Sequence, residues 1–167
     1  MVNDVNDDDD SDKNLYYVMM LLIRHPSIDP KIISSELRLR PFRCWRFGDR
    51  CSTPRGNPVK GLWTYSSWSW TNYYRGSRTF FDSVDELLDR LEAHRAFLLD
   101  LVSSGGTIFL ILHIPGKYNI GDDLSFQSME KMVNLKIVLG IEVFPEMTDR
   151  GGETKIIKPL IKNPLTR

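Results

Sequence analysis

The run Leu15 to Arg24, LYYVMMLLIR, places nine apolar residues in a row before a single arginine. It has strand length, aromatic and β-branched members and no polar alternation, so it predicts a central β-strand that needs cover on both faces. His25-Pro26 closes it, because the residue before a proline is confined to extended conformations. A strand of this kind cannot stand alone, so the rest of the chain must supply its neighbours and its covering layers.

Two other segments offer neighbours. Thr107 to Ile114 is a second apolar run stopped by Pro115-Gly116, and Leu135 to Phe144, LKIVLGIEVF, is a third, with Gly140 a candidate bulge or packing position. Tyr118 to Phe126 is expected to pair beside the second run after a turn near Gly121. Gly61 to Trp70 reads as an aromatic-rich strand closed by Thr71 to Thr79, and Arg43 to Phe47 as a short one.

The covering layer is legible as helical periodicity. Ser83 with Glu86 matches a capping box, and Val84, Leu87, Leu88, Leu91, Leu98, Leu101 and Val102 make one long stripe that stops at Gly105-Gly106. Asp29-Pro30 reads as an N-cap with proline in the first turn, opening a short helix with Ile32, Ile33 and Leu37 on it. Ser128 can cap another short helix through Val133. Helices and strands therefore alternate without strict βαβ repetition. The expected fold is a single α+β domain over residues 15–147, with a mainly antiparallel or mixed sheet and one long and two short helices packed on it.

Residues 1–14 carry six aspartates and no apolar periodicity, which predicts a disordered acidic tail, and residues 148–167 predict a loosely ordered basic one. The chain starts MVNDVNDDDD, without a positive segment leading into an apolar core, and its first apolar run is too short to span a bilayer. A cytoplasmic location with no membrane partner is the expectation. Cys44 and Cys51 are too few for a disulfide scaffold or a four-cysteine zinc site, and His25, His94 and His113 have no ligand spacing to join them. Neither a metal nor a cofactor is expected.

Overall charge balances, with 22 basic and 22 acidic side chains, but it is segregated. Between Arg38 and Lys60 there are seven Arg or Lys and the single Asp49. This span overlaps PFRCWRFGDRCSTPRGNPVKGLW, residues 41–63, which mixes arginines with tryptophans and turn formers. Trp45 and Trp63 suit either a stacking platform or core packing, with core packing the expectation. Asp49 after Gly48 is expected to hold a turn or pair with Arg46 or Arg50. His113 reads as a satisfied core histidine. No Gly-x-Ser-x-Gly, Cys-x-x-Cys or phosphate-loop pattern exists, so no catalytic residue is named.

Trp45, Gly48 and Asp49 followed by Gly61-Leu62-Trp63, together with LSFQSMEKMVNLKIVLGIEVF at 124–144, resemble the bacterial family catalogued as domain of unknown function 4279. The resemblance spans roughly Leu15 to Phe144, and Cys44 departs from the small or β-branched residue expected there. It implies a bacterial source and a shared fold, and it transfers no catalytic residue.

The functional expectation is a non-catalytic binding module, of protein-interaction or immunity type, whose partner is a protein with an acidic surface. Its candidate surface is Arg43, Trp45, Arg46, Asp49, Arg50, Arg55, Trp63, Trp68, Trp70 and Tyr73. The alternative is a nucleic-acid binder using the basic aromatic loop 43–60.

Overall fold

The computed structural model describes residues 16–53, 55–75, 79–116 and 120–144. Both expected tails lie outside these residues. The central strand is β1, Tyr16–His25, as its apolar run requires. It pairs antiparallel with β5, Ser66–Arg75, on one side and with β6, Thr107–Pro115, on the other. A short strand β2, Arg43–Trp45, adds antiparallel to β5. At the far edge β7, Ile137–Phe144, runs parallel to β6. The result is a mixed five-stranded sheet of order β2-β5-β1-β6-β7, beside a separate two-stranded ribbon of β3, Arg50–Ser52, and β4, Pro58–Leu62.

Among the described residues, four helices form the second layer: α1, Pro30–Leu37; α2, Phe81–Glu92; α3, Arg95–Ser103; and α4, Phe126–Asn134. All four bury residues against one face of the sheet. Ile33 and Leu37 of α1, Leu88 and Leu91 of α2, Leu98 and Leu101 of α3 and Met132 of α4 join Tyr17, Met19, Leu21, Ile23, Trp68, Leu110 and Leu112 in one core. The chain is therefore α+β, with its helices segregated to one side. None of the described helices is long and apolar enough to cross a membrane.

Several elements differ from the sequence expectation for identifiable reasons. The long helix is two helices, because after Leu91 the next stripe positions fall on His94 and Arg95; His94 N–H closes a three-residue bond to the Leu91 carbonyl, and the axis breaks there. Ser83 is not the N-cap of α2. Its hydroxyl shares a 2.8 Å hydrogen bond with the Tyr17 phenol, while the Phe81 N–H donates to Asp122 Oδ2 at 2.7 Å from a distant loop. The cap of α4 is Ser125, which accepts from Ser128 N–H, and Ser128 in turn bonds Asp85 of α2. The expected Gly61 to Trp70 strand divides into β4 and β5, and β5 continues to Arg75. No strand forms over 120–126, whose place beside β6 belongs to β7. Register is continuous through Gly140, so it is no bulge; a Cβ there would only touch Ile111.

Other signals hold. Asp29 Oδ1 accepts from Lys31 N–H at 2.9 Å with Pro30 in the first turn. At the end of α3, Gly105 has φ of +98°, its N–H bonds the Val102 carbonyl, and Gly106 N–H bonds the Leu101 carbonyl, which is the paired Gly stop that terminates a helix. His25 fastens that stop to β1: its Nδ1 accepts from Ser27 and Ile28 N–H, and its Nε2 contacts Ser104 Oγ at 3.1 Å.

Candidate binding surface

Because opposed residues share a face, the register sorts the sheet into two sides. On the side away from the helices, one row reads Trp45, Ser67, Arg24 and Thr107 across β2, β5, β1 and β6. The next holds Arg43, Ser69, Leu22, Phe109 and Val138, then Thr71, Met20, Ile111 and Gly140, then Tyr73, Val18, His113 and Glu142. With about 3.3 Å of rise per residue, the first and last rows are about 20 Å apart. The buried cluster on this side, Met20, Leu22 and Ile111 with Phe109 against it, contains no helical residue.

Among the described residues, four buried side-chain polar atoms find no hydrogen-bond partner: Arg24 Nε, Trp45 Nε1, Thr71 Oγ1 and His113 Nε2. Every one belongs to the helix-free side. Buried polar atoms are ordinarily satisfied, so their concentration on one surface singles it out. The orphaned His113 corrects the expectation of a satisfied core histidine. Its Nε2 lies 3.3 Å from Glu142 Oε2 without hydrogen-bond geometry. Burial pushes the His113 pKa down and the Glu142 pKa up, and both shifts oppose an ion pair. The imidazole is therefore neutral at pH 7 despite the short approach.

At the other end stands an aromatic corner. Trp45 and Trp63 stack at 4.3 Å, and Tyr65 meets Trp45 edge-on at 5.9 Å. Both tryptophans are half-buried and neither is in the helix-side core. Their stacking is enforced by backbone. Gly48, with φ of +82°, turns the chain so that its N–H bonds the Trp63 carbonyl at 2.8 Å, and Trp63 N–H returns a bond to the Asp49 carbonyl at 2.9 Å. Asp49 holds this turn, its Oδ2 accepting from Arg46 N–H at 3.2 Å. Thus Trp45, Gly48, Asp49 and Trp63, scattered in sequence, are one folded unit at the root of the ribbon.

Cations decorate the corner. The Arg43 guanidinium carbon lies 5.1 Å from the Trp45 ring centre, and that of Arg24 lies 5.7 Å from the Tyr65 ring centre. Arg43 also donates to the Ser52 carbonyl, tying sheet to ribbon. Arg46, Arg50 and Arg55 are exposed on the ribbon side, Arg46 facing Asp29 at 3.5 Å. Phe42, Phe47, Val59 and Leu62 are exposed as well. Cys44 and Cys51 are free thiols.

The structure brings Arg43, Trp45, Asp49 and Trp63 together, with Arg46 in the same turn and Arg50 opening β3; it places Arg55 in the turn between β3 and β4 and removes two others. Trp68 is fully buried under α1, its indole donating to Ser34 Oγ at 2.9 Å, so it is core and not surface. Trp70 shares that helix-side parity and packs partly buried against the core. Tyr73 is exposed on the helix-free side, but two rows from Arg43. Arg24 is the residue that sequence reading passed over. Its signal was its alternation with Leu22 and Met20, which puts a cation on the side of β1 opposite Ile23.

No curated protein and no solved structure matches the chain. The family model described as Domain of unknown function (DUF4279) matches residues 14–144, which takes in every described strand and helix and both parts of the Trp45 to Trp63 unit; the chain belongs to that family.

Proposed function

We propose that the chain is a non-catalytic, cytoplasmic bacterial module that binds a protein of acidic surface through the aromatic corner and the ribbon it anchors. The observation that carries this reading is the stacked pair Trp45 and Trp63 at the root of a ribbon, with exposed Phe47, Val59 and Leu62 and exposed Arg46, Arg50 and Arg55 on the ribbon and the turn that leads into it. Apolar anchors set among arginines are the composition of protein interfaces, where a few buried aromatics and guanidinium groups supply most of the affinity. An immunity-type role, neutralising an acidic partner in the same cell, is one form of this activity.

The test is affinity recovery from the native cell with the wild-type chain and with an Arg46→Glu, Arg50→Glu, Arg55→Glu variant. One specific protein retained by the wild type and lost by the variant supports the reading. Recovery of general chaperones alone, or equal recovery by both, overturns it. Capture of nucleic acid with an affinity that falls steeply with salt would instead assign the arginines to phosphates.

A further inference from the structure

We propose that Arg24 and Trp45, with Arg43 beside them, form a carboxylate site on the helix-free side of the sheet, and that it receives an Asp or Glu side chain of the bound protein. This rests on the binding reading above and makes it specific.

Arg24 and Trp45 stand in one row, separated only by Ser67 of the intervening strand. Two strand spacings put their Cα atoms about 10 Å apart, a distance that an arginine and an indole side chain can both reach across. Ser67 is small and buried between them. Tyr65 bridges the two, with its ring 5.7 Å from the Arg24 guanidinium carbon and 5.9 Å from the Trp45 ring. Arg43, one row along, lies against the same Trp45.

What Arg24 Nε and Trp45 Nε1 lack is an acceptor. Arg24 Nε and Trp45 Nε1 are screened from solvent and make no hydrogen bond. Guanidinium and indole are donors only, so nothing within the pair can satisfy either of them. Among the described residues neither Arg24 nor Arg43 has a carboxylate partner, the three ion pairs there being Arg46–Asp29, His113–Glu142 and Lys131–Asp89. A neutral carbonyl, with two lone pairs, could accept from both N–H groups but would leave the charges unmatched. A carboxylate offers two oxygens and the balancing charge, and its bonds to a guanidinium are charge-assisted. The exposed Phe42 and Phe47 nearby favour a protein source for that carboxylate over the phosphates of a nucleic acid.

Nitrogen-edited proton NMR on the full chain tests the site directly, since Arg24 Nε–H and Trp45 Nε1–H each give a separate resonance. Titration with sodium acetate, inorganic phosphate and octathymidylate compares the candidate acceptors. Acetate should move both resonances together and to saturation. Arg24→Gln should weaken the acetate response of the Trp45 indole about tenfold, as expected for a lost hydrogen bond to a charged group. Arg24→Lys, which keeps the charge and removes the Nε–H fork, should recover only part of it, with an unchanged amide spectrum confirming the fold of each variant. Two results would overturn the site: no coupled movement with acetate, or saturation by phosphate or octathymidylate at lower concentration than by acetate. Flat spectra from a chain that still recovers its partner through the ribbon would remove this site and leave the binding reading intact.

Discussion

The indole rings of Trp45 and Trp63 stack at 4.3 Å with their planes 21° apart, and the backbone of Trp63 is bonded on both sides to the Gly48-Asp49 turn. An isolated two-stranded ribbon is marginal in water, so β3 and β4 owe their order to this contact together with the Arg43 bond to the Ser52 carbonyl. Trp63→Ala should lower stability by about 2 kcal/mol, the range for losing a partly buried aromatic and its stacking partner. Amide exchange should locate the effect: Gly48 and Asn57 should exchange faster while β1 and β6 keep their protection.

The N-terminus of α2 depends on a carboxylate far away in sequence. Asp122 Oδ2 takes the Phe81 N–H, and Phe80 at the cap position provides no side-chain bond. Asp122→Ala should cost about 1 kcal/mol in urea unfolding, the usual cost of a lost N-cap, with the denaturant slope unchanged.

Gly106 is packed closer than any side chain allows. A Cβ there would stand 2.3 Å from Leu101 Cδ2 and 2.6 Å from its carbonyl oxygen, with the His25 ring at 3.1 Å. Gly106→Ala should therefore destabilise by about 1–3 kcal/mol through overpacking. Gly121→Ala, with open space around it, is the control that should leave the thermal midpoint nearly unchanged.

Acid should weaken the fold before carboxylates titrate fully. Burial lowers the His25 pKa, an effect that Asp100 partly offsets, and burial lowers that of His113, both from an ordinary value of 6.5. The unfolded chain then takes up protons near pH 6.5 ahead of the native one, so this stability is complete above that pH and declines as the pH falls below it. Burial raises Glu142 from 4.5, so its contribution has the opposite sign and declines as pH rises above 4.5. Urea midpoints at pH 7.5, 6.5 and 6.0 should fall in that order, and less steeply in His113→Phe.

Local chemistry made much of this fold legible. The apolar run from Tyr16 to Ile23 became the strand with neighbours on both sides, and Asp29-Pro30 capped its helix as read. What sequence could not provide was anything set by partners distant in the chain. Trp68 and Trp45 look alike in sequence, yet pairing register puts Trp68 under α1 and Trp45 on the opposite side. The cap from Asp122, the parallel placement of β7 and the four orphaned polar atoms on one surface arise only after the sheet is assembled. The corner itself was half visible: Gly48 and Asp49 announced a turn, but nothing local said that Trp63 closes it.

The most direct test of the corner and ribbon as the working surface is site-specific photo-crosslinking in the native cell. A benzophenone amino acid would replace Phe47 or Leu62 on that side, and Glu86 or Arg90 among the exposed helix-side residues. Positions 47 and 62 should capture one and the same protein, rich in acidic surface, while positions 86 and 90 should not. Capture of that protein with equal yield from the helix side, or no specific adduct from position 47 or 62, would contradict the assignment.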